Sequence, residues 1–151
     1  MQKIFIASDH RGFETKNNLL ANFPLNLNEF ELVDCGPLAY DENDNYNDGA
    51  KKVARLVLEN PKSFGILLCG SAVGMSIQAN RFKGVRAALC FNEKIAELSR
   101  AHNDANVLCL PSDFLELSEI LKIVETFFST DFLNSERYSK RNELLDEVEN
   151  E

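Results

Sequence analysis

The 151 residues amount to one domain at roughly 150 residues per domain, and a 44% apolar, 26% charged composition is that of a folded globular chain rather than a disordered one. Sixteen Lys/Arg against twenty-four Asp/Glu give a net charge of −8, which argues against nucleic acid or an anionic membrane as partner. An anionic substrate then needs a local basic island. No apolar run approaches the ~18 residues of a membrane span, and the start, MQKIFIASDH, meets charge too early for a signal peptide, so the expected location is the cytoplasm. Cys35, Cys69, Cys90 and Cys109 include no CxxC pair, which makes zinc and thioredoxin-type chemistry poor readings and reduced thiols the expectation.

In chain order, short aliphatic or β-branched runs stand at 3–7 (KIFIA), 30–35 (FELVDC), 64–69 (FGILLC), 85–90 (VRAALC) and 106–110 (NVLCL). Most are apolar throughout, as strands covered on both faces of a parallel sheet are. Between the second and third, Ala50, Val53, Ala54, Val57 and Leu58 recur on one helical face; after the fifth, Leu117, Ile120, Leu121, Val124, Phe127 and Phe128 do the same. Asp113 followed by Glu116 has the spacing of a capping box for that second helix. A polar helix is expected over about 135–148, with the acidic end from 146 to 151 fraying. The order β-α-β-α predicts an α/β fold: a single-domain, doubly wound, Rossmann-like three-layer sandwich with a five-stranded parallel sheet and a C-terminal helix.

Such sheets bind ligands beyond the carboxyl ends of their strands, and the expected rim carries Ser8-Asp9-His10, Cys35-Gly36, Cys69-Gly70-Ser71 and Pro111-Ser112-Asp113. The turn from Cys69 through Gly70, Ser71, Ala72 and Val73 to Gly74 runs from a strand into a helix. Its amides are expected to cradle an oxyanion and to lower the pKa of Cys69, making it a base or nucleophile. Cys35, Cys90 and Cys109 are expected to be small buried hydrophobes. His10 and His102 suit acid–base work and are expected on or beside the same rim. With Asp9 they lack helical metal-ligand spacing, so no metal is expected. Arg137 and Arg141 share a helix face with no acid at ±3 or ±4, a doublet kept for an outside anion such as phosphate. The acidic stretch at 41–45 lacks the glycine and closing glutamate of a calcium loop, and Asn45 or Asn47 is expected to cap the following helix.

Taken together, the segments ASDHRGFETK (7–16), NYNDGAKKVA (45–54), GILLCGSAVGMSIQANRFKGVRAALC (65–90), SRAHNDANVL (99–108) and the Arg137–Arg141 pair resemble the type B ribose-5-phosphate isomerases and the related galactose-6-phosphate isomerase subunits, over essentially the whole chain. The resemblance implies an aldose–ketose isomerase of carbohydrate metabolism, interconverting D-ribose 5-phosphate and D-ribulose 5-phosphate in the pentose phosphate pathway through a cis-enediolate, with no cofactor. It implies that Cys69 moves the proton, Ser71 and the 70–74 amides (Gly70 and Gly74 among them) steady the oxyanion, and His102 assists ring opening. It further implies that Asp9 and Asn103 hold hydroxyls, Tyr46 lines the pocket, and His10, Arg137 and Arg141 hold the phosphate. A homodimer or dimer of dimers with the site at the subunit interface is implied as well. Cys69 favours the ribose-5-phosphate enzymes over members that lack a cysteine there.

Three positions depart from the family pattern. Asp113 stands where many members have the Arg of Gly-Ser-Arg, and is expected to turn away and cap its helix, while Arg11 offers replacement charge. Ala72 stands where glycine is usual, and is strained if the turn needs φ > 0. Asn45 and Asn47 replace the Asp and Pro of a frequent Asp-Tyr-Pro. The competing readings are an isomerase of another phosphosugar, such as allose or galactose 6-phosphate, and a catalytically silent sugar-phosphate binder.

Overall fold

All five apolar runs are strands, and their two-residue alternation divides one sheet between two cores. In the computed structural model, which describes residues 1–149, β1 (Gln2–Ser8), β2 (Phe30–Asp34), β3 (Phe64–Cys69), β4 (Ala87–Leu89) and β5 (Val107–Pro111) form a parallel sheet in the order β2-β1-β3-β5-β4. Ile4, Ile6, Ile66, Leu68, Leu108 and Leu110 face one side; Phe5, Ala7, Leu67, Cys69, Val107 and Cys109 face the other, as a period of two requires.

Helices cover both faces because each presents one apolar stripe. Helix α2 (Tyr46–Glu59) packs Ala50, Val53, Ala54 and Val57 on the first face, joined by Met75 and Ala79 of α3 (Val73–Ala79). Leu19 of α1 (Phe13–Ala21), Ala96 of α4 (Glu93–Asn103) and Ile120, Ile123, Val124 and Phe127 of α5 (Leu117–Ser129) fill the second. Leu58 is an exception to the expected stripe, being 43% exposed. The last helix, α6 (Glu136–Asp146), buries only Asn142. Positions 150 and 151 of the expected fraying end lie outside the described residues; Asp146 closes α6, and its two carboxylate oxygens both accept from Arg86 Nη1 (2.9 and 2.7 Å).

Two cap expectations change. The box that starts α5 is Glu116 with Glu119, one turn later than Asp113 with Glu116, because the Asp113 carboxylate is engaged elsewhere. Asn45 occupies the N-cap position of α2 but makes no side-chain cap bond, and Asn47 donates instead to Gln78 (3.0 Å).

The chain reverses direction across the sheet between β1 and β3, so the loops after these strands splay apart and leave a crevice. Lys16, wholly buried, ties this corner to β2 by donating to Asp34 Oδ1 (2.6 Å) and the Pro37 carbonyl (2.9 Å).

Candidate active site

Beyond β1 and β3 lies an open pocket of about 370 Å³ lined by Asp9, Arg11, Tyr46, Cys69, Gly70, Ser71, Gly74, Asp113 and Phe114. A larger hollow lies between α4 and α5, and a smaller one beside the end of β2 holds the Cys35 thiol with Asp44, Asp48 and Lys52, but the pocket beyond β1 and β3 is the one that places its thiol inside the turn leading into α3. Cys69 sits at its floor, 4% exposed. Burial pushes its thiol above the usual range, and the amides of Met75, Ala72 and Ser71, which bond toward the sulfur, recover only part of the shift. The expected lowered thiol pKa is therefore corrected. Desolvation outweighs the amide field because no cation lies beside the sulfur, while Asp9 adds a raising charge.

The turn has the shape that an anion cradle needs. Ala72 has φ 63°, the left-handed conformation in which alanine carries strain of roughly 1–2 kcal/mol, and its methyl is fully buried in the core. Gly74 is needed for space: a Cβ there would lie 2.5 Å from Tyr46 Cζ, so the Tyr46 ring rests flush against the backbone of α3. Asp9 Oδ1 accepts from the amides of Arg11 (2.9 Å) and Gly12 (3.1 Å). Burial nevertheless raises its pKa.

His10 is held by a residue that sequence reasoning missed. Asp44 Oδ1 accepts from the His10 amide (3.1 Å) and pairs with ring Nδ1 (2.7 Å). A carboxylate only accepts, so Nδ1 carries the proton, and the bond raises the His10 pKa. Asp44 belongs to the acidic stretch set aside as a non-calcium loop; a carboxylate far along the chain from its histidine gives no local signal.

The remaining predicted residues are on the other edge of the sheet. Helix α4 leaves the carboxyl end of β4 and returns to the amino end of parallel β5, so His102 and Asn103 in its last turn lie at the opposite rim from Cys69. The length of β3 puts about 17 Å between the two rims at ~3.3 Å per residue. The expectation of one shared rim is corrected within a single chain. Helix α6 joins the second group: Tyr138 stacks on His102 (centroids 4.3 Å, 12°), Asn142 donates to the His102 carbonyl (3.1 Å) and Asn103 to Asn142 (3.4 Å). Arg137 and Arg141 are exposed on α6, and among the described residues neither has an ion-pair partner. Tyr138, missed in the sequence, was findable, since Tyr138, Arg141 and Asn142 share one helical face.

Two half-sites thus stand apart: a thiol in an amide turn with Asp9, His10, Tyr46, Ser71, Gly70 and Gly74, and an imidazole with an unpaired arginine doublet. Among the described residues no group of three or more His, Cys, Asp or Glu is placed to hold a metal ion, and no helix is long and apolar enough to cross a membrane.

This layout has close counterparts. The family model described as Ribose/Galactose Isomerase matches residues 4–145. The chain belongs to that family. It is 48% identical over 130 residues to a probable ribose-5-phosphate isomerase B of Mycoplasma genitalium (85% of this chain, 84% of the relative). It is 44% identical over 138 residues to the probable ribose-5-phosphate isomerase B of Mycoplasma pneumoniae (91% and 89%). Among solved structures, ribose-5-phosphate isomerase B from Mycoplasma genitalium with bound ribulose-5-phosphate superposes with a TM-score of 0.89 at 43% identity, covering 95% of this chain and 93% of that one. As in such family members, the α/β sandwich expected from the sequence is the fold of this chain.

Proposed function

We propose that this chain is an aldose–ketose isomerase interconverting D-ribose 5-phosphate and D-ribulose 5-phosphate. The observation that carries the reading is Cys69 at the floor of a pocket, inside a turn of converging amides, in a chain that matches a ribulose-5-phosphate-bound relative over nearly its whole length. The chemistry needs a base for a weakly acidic proton α to a carbonyl, and stabilisation of the enediolate as it forms. Cys69 as thiolate takes the proton from one carbon and returns it to the neighbouring carbon. The high thiol pKa makes that thiolate a strong base while keeping it scarce, so turnover rises with pH through the neutral range. The turn amides and Ser71 face the developing oxyanion. Asp9 and Asn103 bind hydroxyls, Tyr46 forms a wall, His102 opens the ring, and His10, Arg137 and Arg141 hold the phosphate.

The two half-sites of one chain are too far apart to act together, which supports a homodimer, or a dimer of such dimers, in which one copy's His102–Arg137–Arg141 group meets the other's Cys69 pocket. Val73 and Ile77, one turn apart on α3 beside the catalytic turn, are about half exposed, an apolar surface suited to that contact. A cytoplasmic location remains part of this proposal.

The test is ribulose 5-phosphate formation from ribose 5-phosphate in buffer with EDTA. Wild-type turnover should be nearly abolished by Cys69→Ala. Mixing Cys69→Ala with the Arg137→Ala/Arg141→Ala variant should restore about a quarter of wild-type activity, because half the dimers are mixed and each holds one intact site. No restoration would overturn the shared site. A better substrate in a panel containing allose and galactose 6-phosphates would replace the sugar assignment, and ligand-induced stabilisation without any turnover would make the chain a binder.

A further inference from the structure

The cation nearest the catalytic turn is not free. Arg11, in the loop after β1, pairs through Nη2 with Asp113 Oδ2 at 2.6 Å, and Asp113 follows β5. Since β1 and β5 flank β3, this pair crosses directly over the carboxyl end of the catalytic strand. A Cβ on Gly70 would lie 2.7 Å from Asp113 Oδ2 and 3.0 Å from Arg11 Nε, so the absence of a side chain at 70 is what gives the pair its seat. Both partners are anchored through their backbones: the Asp113 amide donates to the Gly70 carbonyl (3.1 Å) and the Arg11 amide to Asp9 (2.9 Å). Arg11 is the single Lys or Arg among the residues lining the Cys69 pocket, where Asp9 and Asp113 are its carboxylates.

We propose that Arg11 and Asp113 form a self-neutralised clasp over the catalytic turn that sets affinity for the anionic substrate, Arg11 being the cation that meets the anion and Asp113 the group that restrains it. The inference rests on the reading of this pocket as a sugar-phosphate site. A guanidinium fork matches a phosphate as well as it matches a carboxylate, so an arriving phosphate competes with Asp113 for the same donors. The side chains are 60% and 34% exposed, which makes the pair easy to open and its hold on Arg11 weak. Asp113 consequently lowers affinity without blocking the site, and is a specificity-determining residue that penalises charge on the ligand rather than its sugar hydroxyls.

Calorimetric titration of the intact protein with inorganic phosphate and with ribose 5-phosphate, at low and at 300 mM salt, tests this in wild type, Asp113→Asn, Arg11→Met and the double variant. Asp113→Asn should tighten phosphate about fivefold at low salt, the size of one charge contact at high dielectric, with KM for ribose 5-phosphate falling in step. Arg11→Met should weaken binding, the double variant should bind as weakly as Arg11→Met alone because no cation is left to release, and the differences should shrink at 300 mM salt as the screening length shortens. Uncharged ribose should bind all four variants alike. Unchanged or weaker phosphate binding in Asp113→Asn overturns the clasp, and so does equal tightening when Arg11 is already Met. Thermal melting of each variant separates loss of folding from loss of binding. Phosphate binding needs no turnover, so failure of the isomerase assignment would appear as absent ribose 5-phosphate conversion with this phosphate pattern intact.

Discussion

Replacing Arg86 with Met should free α6 while leaving the sheet intact. Arg86, 18% exposed, donates through Nη1 to both oxygens of Asp146 and through Nε and Nη2 to the carbonyls of Asn103 (2.7 Å) and Asp104 (3.2 Å), tying the end of α6 to the end of α4. The helix buries one residue, and its other ties to α4 are the Tyr138–His102 stack and the Asn142 hydrogen bonds. Hydrogen bonds to a charged group contribute roughly 1.5–3 kcal/mol, and breaking a fully buried pair costs about 3–5 kcal/mol. Asp146 is 35% exposed and rehydrates when abandoned, and methionine preserves much of the stem packing. The opening free energy of α6 should therefore fall by about 2 kcal/mol, which is roughly a 30-fold increase in hydrogen exchange of its amides. Amides of β1, β3 and β5 should exchange as before. Because Arg137 and Arg141 ride on α6, KM for ribose 5-phosphate should rise in parallel. Unchanged α6 exchange, or an equal change in the central strands, would show that the Arg86 hydrogen bonds are not what docks this helix.

Three further outcomes follow from the pocket side. Asp44→Asn should bring the His10 titration, followed by NMR, down toward its ordinary value of 6.5. The raised folded-state pKa gives stability present below pH 6.5 and lost as pH rises through the folded value, a pH dependence the variant should lack. Cys69 alkylation by iodoacetamide, read by mass spectrometry, should accelerate about tenfold per pH unit from 7 to 9, as a raised thiol pKa demands; a plateau by pH 8 would contradict the dominance of burial. Gly74→Ala should swing out the Tyr46 ring, which is 39% exposed and escapes most of the roughly 1–3 kcal/mol of overpacking strain. KM should rise several-fold with little change in melting temperature, and an unaltered KM would remove Tyr46 from the pocket wall.

The sequence by itself determined the sandwich and the chemistry-bearing turn. Runs such as GILL and VLCL are apolar at every position because both faces of a parallel strand are covered, and the cysteine–glycine turn leading into a helix is a local pattern. The left-handed Ala72 was raised only as a condition, through the glycine usual at that position in the family it resembles, and the structure supplies the positive φ. Tertiary structure decided what long-range contacts govern. The thiol pKa of Cys69 depends on how much water the whole fold removes; the partners of His10 and Asp113 come from distant loops. The separation of His102 from Cys69 follows from strand direction, because a segment that enters a parallel strand and one that leaves it lie on opposite edges. Only the folded sheet turns that rule into two separate groups of candidate residues on opposite rims of a single chain.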